Sequence, residues 1–342
     1  MKTTATDCRS RFRVSVTLAF AGLVGFAAPA AAEIEKTSLA QTPAIVAFLA
    51  AYIAEDANIW RDNNLDVKVI YLDGVATVNA VIAGSADFAL SSSAALTRAA
   101  AHGQRLLALA SMNNQSGQVT VIRKEFADAV RFDPTAPLSV RAQVLKGRIV
   151  SGGSVGSVAD VFLKSVARAG GLDPSAFTSP PLNASELLAA FSRRAVDGFS
   201  YSLPYPQQVV AEGTAVVVAD GTNGELKEFF PLAAGLLLTR PQLCTERRSL
   251  CEKMGHSMLI ATQFLLERRA DATAILKKRF PTVSDAVLAS AFDAVRRMTQ
   301  SPPTVTLIAL ENGDRMNAEA GFLRLEDRVQ SYDGLFTNEF LR

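Results

Sequence analysis

The residues best suited to bind a ligand fall in short segments that are polar but uncharged. The clearest is the run Ser-Gly-Gly-Ser-Val-Gly-Ser at 151–157, which directly precedes a stretch with helical periodicity. A helix N-terminus offers unpaired N–H groups and a partial positive charge, and glycine lets that backbone approach a ligand closely. The run therefore predicts a site that holds an anion without lysine or arginine. The alternative is that its serines cap the helix and its glycines form a turn.

Four further segments lie where a predicted strand ends or a helix begins. They are 41–43, 91–93, 113–115 and 201–205. Their hydroxyl, amide and phenol groups are neutral donors and acceptors, which suit a small enclosed ligand. Two of them have a structural alternative, because the serines at 91–93 can cap a helix, and Tyr201 and Tyr205 can pack between the lobes.

The sequence carries no pattern that indicates catalysis. No Gly-x-Ser-x-Gly motif occurs, and no Gly-Lys-Ser/Thr follows the glycine-rich run. The two histidines, His102 and His256, have no ligand-like neighbours, which argues against a metal site. We therefore expect no catalytic residue, no metal and no cofactor.

A pattern that occurs twice predicts where these segments lie in the fold. The interval from Asp73 to Asp87 equals that from Asn183 to Asp197, and the second copy comes 110 residues later. Each copy ends in a short hydroxyl-rich run. Two copies of one βαβ unit predict two similar α/β lobes, with a ligand between them at the carboxyl ends of the strands. We expect Asp87 and Asp197 themselves to make turn hydrogen bonds.

Hydrophobic periodicity divides the chain into alternating strands and helices. Predicted strands are 34–40, 67–72, 86–90, 106–111, 118–123, 198–201 and 215–219, and predicted helices are 44–60, 75–83, 94–102, 158–169, 187–194, 258–266, 272–280 and 284–298. The segment 118–123 would make the first crossover between lobes, and 232–239 would carry the chain back. We expect the first lobe to comprise 33–117 and 232–342 and the second 118–231.

The N-terminus has the features of a secretory signal peptide. Basic residues up to Arg13 precede an apolar run from Val14 to Ala28, and Ala30-Ala31-Ala32 resembles a cleavage site before Glu33. A membrane anchor needs about 20 apolar residues, more than this run offers. We expect residues 1–32 to be removed and the protein to be periplasmic. The rest of the chain is nearly neutral, which gives no reason to expect nucleic-acid binding.

The two cysteines outside that leader, Cys244 and Cys251, predict a disulfide in an exported protein. In one continuous helix they would lie roughly 10 Å apart along the axis, too far to bond. We therefore expect a helix that begins near Ser249, after a loop. Two free buried thiols are the alternative.

Several motifs resemble those of the periplasmic substrate-binding proteins of ABC importers. The nearest group contains the sulfonate, taurine and nitrate binders and the thiamine-pyrimidine-synthesis-like domain. The resemblance covers about 45–239 and rests on Trp60–Val67, Ala80–Leu90, Leu145–Val150 and Ala169–Pro174. It implies a type II periplasmic-binding-protein fold, with two βαβ lobes joined by two crossover strands and closing on a hinge.

The resemblance also implies a binding site and a function. By matching position the pocket residues would be Thr42, Ser91, Ser92, Asn114, Gly153, Ser154, Tyr201 and Tyr205. The protein would capture a small anionic or polar organic solute, similar to a sulfonate, nitrate or carboxylate. As a monomer it would deliver the solute to an ABC permease and, through it, to an ATPase.

Departures from the family pattern leave the ligand and the function open. Asn64 stands where the family usually has glycine, and Leu203-Pro204-Tyr205 replaces an acidic-Pro-Tyr motif, which removes a carboxylate. The uncharged segments also suit a neutral heterocycle. Two different functions stay open as well: an enzyme of pyrimidine or thiamine metabolism, with His102 or His256 catalytic, and a periplasmic sensor subunit. The cysteine-rich motif of the pyrimidine-synthesising enzymes is absent from this sequence.

Overall fold

Nine strands form two sheets in the computed structural model, which describes residues 33–342. The strands are β1 (Glu35–Gln41), β2 (Leu65–Tyr71), β3 (Phe88–Ser91), β4 (Leu107–Ser111), β5 (Gln118–Arg123), β6 (Val150–Ser151), β7 (Gly198–Ser202), β8 (Ala215–Asp220) and β9 (Leu236–Thr239). The signal peptide predicted for 1–32 lies outside the described residues.

Four strands of the first sheet, β1-β3-β9-β4, have the same arrangement as the four strands of the second, which agrees with the two similar lobes that the repeat predicts. The first runs β2-β1-β3-β9-β4 and the second β6-β7-β5-β8. In the first sheet β1 and β3 are parallel and β9 is antiparallel to β3, while in the second β6 and β7 are parallel and β5 is antiparallel to β7. The chain crosses between the sheets after β4 and again after β8. This is the predicted two-lobed fold, although β5, expected to make the first crossover, begins the second sheet just after it.

Hydrogen bonds of two matched aspartates support the repeat. Asp87 Oδ2 accepts from Ser38 N at 3.2 Å, and Asp197 Oδ2 accepts from Ile149 N at 2.9 Å. Each carboxylate lies at the turn before its strand and bonds to the backbone of the preceding parallel strand. Both aspartates thus make the structural hydrogen bonds expected of them.

Fourteen helices cover the sheets within the described residues. They are α1 (Leu49–Asp56), α2 (Ile59–Asp62), α3 (Ala76–Ile82), α4 (Ser93–Ala101), α5 (Lys124–Ala129), α6 (Leu138–Arg141), α7 (Val158–Ala169), α8 (Ala184–Ser192), α9 (Tyr205–Ala211), α10 (Pro241–Glu246), α11 (Arg248–Glu267), α12 (Arg269–Arg279), α13 (Asp285–Met298) and α14 (Leu307–Glu319). None of them is both long and apolar enough to cross a membrane.

The prediction of a single helix over 44–60 is wrong. A 3₁₀ turn at Val46–Phe48 leads into α1, and Asn58 with φ +59° separates α1 from α2. Asparagine tolerates this left-handed conformation because its short side chain reduces the steric cost. Asn64 has φ +57° after α2, which agrees with the break predicted at 63–64.

Cys244 and Cys251 form the predicted disulfide, with Cα atoms 5.5 Å apart. Cys244 lies in the short helix α10. A break at Arg247 (φ −129°, ψ 60°) separates α10 from α11, which begins at Arg248, one residue before the predicted start. Since the helices are not continuous, the two cysteines can meet.

Helix α14 packs against both lobes. Its Gly313 lies so close to Ser93, at the start of α4, that an added Cβ would stand 2.3 Å from the serine Oγ. Its Met316 and Ala320 join the apolar core of the second lobe beside Phe162. Residues 34–342 form one compact unit as a result, and the lobe boundaries at 117/118 and 231/232 stay predictions.

Candidate ligand-binding site

A cavity lies between the lobes at the carboxyl ends of their parallel strands. Thr42 and Asp73 follow β1 and β2, Ser154 follows β6, and Ser91 and Ser202 end β3 and β7; all five line the cavity. Centres of water molecules can occupy about 70 Å³ of it. One water needs roughly 10–15 Å³ on this measure, so the cavity has room for a few waters or for a small solute.

Four of the eight predicted site residues line this cavity: Thr42, Ser91, Ser154 and Tyr201. They come from the residue after β1, the end of β3, the glycine-rich loop and β7, and they are separated by up to 159 positions in sequence. The strand-end rule therefore selected residues that the fold brings together.

Two other predicted site residues, Gly153 and Tyr205, contact the Tyr201 ring. Gly153 has φ +75°, and an added Cβ would lie 3.2 Å from the Tyr201 ring. The Tyr205 ring meets Tyr201 edge to face, with ring centroids 5.4 Å apart. Neither Gly153 nor Tyr205 lines the cavity, so the structure gives them a role in holding Tyr201.

The remaining two predicted residues make structural contacts outside the cavity lining. Ser92 caps α4, because its Oγ accepts from Ala95 N at 3.3 Å. Asn114 lies in the crossover after β4, where its N–H donates to Met298 O at 3.0 Å. The structural alternative for the serines at 91–93 thus holds for Ser92, whereas Ser91 lines the cavity.

The N-terminus of α7 contributes backbone donors to the cavity. Ser157 caps the helix by accepting from Asp160 N at 3.2 Å. The next two residues, Val158 and Ala159, line the cavity, and their N–H groups have no hydrogen-bond partner within the described residues. The structural alternative is therefore confirmed for Ser157, which caps the helix, while the anion site at the start of α7 stays a prediction.

Sequence reasoning missed several lining residues, among them Gln118 and Asp73, whereas Ser202 belongs to the predicted segment 201–205. Gln118 and Ser202 are buried at the paired ends of β5 and β7, and each has a side-chain oxygen without a hydrogen-bond partner in the described structure. Asp73 and Gly74 follow β2 and begin the first copy of the repeat. Asp73 follows the predicted strand 67–72, so the same strand-end rule applies to it.

Three charged side chains, Arg98, Asp160 and Lys164, lie around Gly156 of the glycine-rich loop. Arg98 Nη2 donates to Gly156 O at 2.7 Å, Asp160 Oδ2 accepts from Gly156 N at 2.8 Å, and Lys164 Nζ lies 3.1 Å from the same carboxylate oxygen. Burial lowers the pKa of Arg98, although nearby Asp160 opposes that shift. The two cations and one carboxylate together place a net positive charge behind the α7 N-terminus.

Asp73 supplies negative charge to the cavity itself. Burial raises the pKa of both Tyr201 and Tyr205, and the Asp73 carboxylate raises both further. The two phenols are therefore neutral hydrogen-bonding groups near pH 7.

The two-lobed topology, with a cavity at the strand ends, defines the fold class of a periplasmic binding protein. The NMT1-like family model matches residues 30–278, and the chain belongs to this family. Among curated protein sequences, none matches the chain.

Three solved structures share the fold at low sequence identity. The alkanesulfonate-binding protein SsuA from Xanthomonas axonopodis pv. citri, bound to MOPS, is 17% identical with a TM-score of 0.66, over 88% of this chain and 96% of that one. The periplasmic nitrate-binding protein NrtA from Synechocystis PCC 6803 is 16% identical with a TM-score of 0.69, over 90% and 87%. A Candida albicans gene product described as having the generic periplasmic binding protein fold is 11% identical with a TM-score of 0.68, over 89% and 96%.

Proposed function

We propose that this protein is the solute-binding component of an ABC importer. It captures a small anionic or polar organic solute, similar to a sulfonate, nitrate or carboxylate, in the cavity between its lobes. The observation that carries the proposal is the α7 N-terminus, where Val158 and Ala159 line that cavity and their N–H groups have no hydrogen-bond partner among the described residues. Donors of this kind bind an anion without a cationic side chain.

The related structures support the class of ligand. SsuA from Xanthomonas is an alkanesulfonate-binding protein, and NrtA from Synechocystis binds nitrate. In the proposal this chain acts likewise in the periplasm as a monomer, releases its solute to a membrane permease coupled to an ATPase, and performs no chemical step. The two histidines lie elsewhere, His102 at the end of α4 and His256 within α11.

A thermal-shift screen tests the proposal, because a ligand that binds only the folded state raises the melting temperature with concentration. The panel contains alkanesulfonates, nitrate, aliphatic and aromatic carboxylates, and neutral pyrimidines. We expect a dose-dependent rise with at least one anion. A rise with pyrimidines alone would keep the transport role and contradict the anion site.

Ser154→Asp tests the anion site directly. The new carboxylate would stand in the cavity wall beside the α7 N-terminus, so affinity for an anion should fall at least tenfold, the effect of about 1.4 kcal/mol of like-charge repulsion. Ser139→Asp is the matched control, because Ser139 is exposed on α6 outside the cavity lining. Equal anion affinity in both variants would show that the anion binds elsewhere.

A further inference from the structure

Helix α14 presents two adjacent faces to two different lobes. One face carries Ala309, Gly313 and Asn317, and the next carries Met316 and Ala320, the residue that ends the helix. Residues four positions apart lie on one ridge of a helix, so each face is a continuous ridge. Ala309 joins the apolar core of the first lobe, whereas Met316 and Ala320 join that of the second. One rigid element is therefore packed into both cores.

The contact between α14 and α4, in the first lobe, is polar and close. Asn317 is fully buried, and its Nδ2 donates to Ala94 O at 2.6 Å and to Thr97 Oγ1 at 3.2 Å. Gly313 lies against Ser93, where a larger side chain would overlap the serine. Breaking this contact would leave buried polar groups without partners, which is costly. We therefore expect α14 to stay fixed to α4.

The contact between α14 and α7, in the second lobe, is apolar. Met316 is 3% exposed and packs with Ala320 in the core that contains Phe162 of α7. Within the part of the chain that the structure describes, no hydrogen bond joins α14 to α7. Apolar contacts are non-directional, and the flexible methionine side chain adapts to irregular surfaces. This contact can therefore separate and form again.

Phe322, three residues beyond α14, contacts cations from both lobes. Lys164 Nζ of α7 lies 4.1 Å from the ring centroid, and Arg98 Cζ of α4 lies 5.4 Å from it. A cation at such a distance from an aromatic face is attracted to it. The ring also packs against the core of the second lobe. Phe322 therefore adds a second link between the lobes beside Met316.

We propose that Met316, Ala320 and Phe322 form a releasable latch between the lobes, which separates from α7 when the lobes open. Separation exposes apolar surface to water, so the latch favours the closed state. None of the three residues lines the cavity. The latch thus sets the fraction of closed protein without touching the solute, and the apparent affinity falls in proportion to that fraction. This inference goes beyond the proposed function, because it concerns the motion of the lobes whatever the solute.

Spin labels on one exposed residue of each lobe test the latch in the ligand-free protein. Arg61→Cys in α2 and Ser139→Cys in α6 provide the labelling sites, and double electron–electron resonance measures the distance between them. In Met316→Ala we expect a broader distribution, with a mean shifted by more than about 2 Å, the scale of domain rearrangements. Small-angle scattering should give a larger radius of gyration. Phe322→Leu keeps an apolar side chain without the ring, should shift both measurements in the same direction, and tests the latch even if Met316→Ala fails to fold.

Leu310→Ala is the matched control, because Leu310 is buried on the same helix but packs in the core of the first lobe. It removes an apolar side chain of similar size and should leave both measurements at the values of the labelled parent protein. The latch is overturned if Met316→Ala and Phe322→Leu keep the parent distance distribution and radius of gyration. It is equally overturned if Leu310→Ala shifts them as far, since the lobes would then separate through general loosening of α14.

Discussion

Arg98 donates a hydrogen bond from Nη2 to the carbonyl oxygen of Gly156 at 2.7 Å, and this bond joins the two lobes. Arg98 belongs to α4, which follows β3 of the first sheet, and Gly156 lies in the loop between β6 and α7 of the second. Both elements contribute lining residues, through Ala95 and through Gly156 itself. The bond thus joins two walls of the cavity.

Arg98→Met should weaken ligand binding about tenfold or more. Methionine keeps most of the apolar stem but removes a hydrogen bond from a charged donor, which contributes about 1.5–3 kcal/mol. Ligand affinity falls because the variant destabilises the closed state, in which we expect this hydrogen bond to form. Calorimetry measures the affinity, and small-angle scattering with and without ligand measures closure.

Arg105→Met serves as the control for Arg98→Met. Arg105 is exposed just after α4, and its Nη1 makes a long contact, at 3.4 Å, with Asp333 O. We expect unchanged affinity in this variant. Equal affinities in the two variants would exclude the bond between Arg98 and Gly156 as a closure contact.

Removing the disulfide by Cys244→Ala with Cys251→Ala should lower the free energy of unfolding by about 2.5 kcal/mol. The magnitude follows from the chain entropy released when the small loop between the two cysteines opens. Urea unfolding of both proteins measures it. Reductant should lower the free energy of unfolding of the wild type to a similar extent and leave that of the double variant unchanged. If reductant does not change the stability of the wild type, the predicted contribution of the disulfide is wrong.

Asp56 should make stability fall in acid. Burial alone would raise its pKa, but hydrogen bonds from Arg279 Nε and Lys278 Nζ, both at 2.6 Å, outweigh burial and hold the pKa below the ordinary value. Because the pKa is lower in the folded state, the stabilisation is complete above the unfolded-state pKa of about 3.9 and is lost as pH falls below it.

Asp56→Asn should therefore destabilise the protein at pH 7 more than at pH 3, measured by urea unfolding at both values. Arg279→Met removes the principal partner from α12 and should show the same pH-dependent loss. If either variant loses the same free energy at both pH values, the ion pair between α1 and α12 does not account for the acid sensitivity.

Local patterns predicted most strands and several helices to within two residues. β5 was predicted with its observed bounds, and β4 and α4 to within one residue. These elements follow from side-chain periodicity over a few neighbouring residues, which the chain carries locally. The helix expected over 44–60 failed because the left-handed conformation of Asn58 depends on how α1 and α2 pack, which periodicity does not record.

The sequence by itself determined the repeated βαβ unit, the glycine-rich start of α7 and the cysteine pair, because each depends on the types and spacing of nearby residues. Only the tertiary structure decided which strand ends meet. Thr42, Ser91, Ser154 and Tyr201 line one cavity with Asp73, whereas Ser92 and Asn114 make structural contacts outside it. The bond from Arg98 to Gly156 likewise joins residues 58 positions apart. Such contacts depend on where the chain crosses between the sheets, and no local sequence signal specifies the resulting distances.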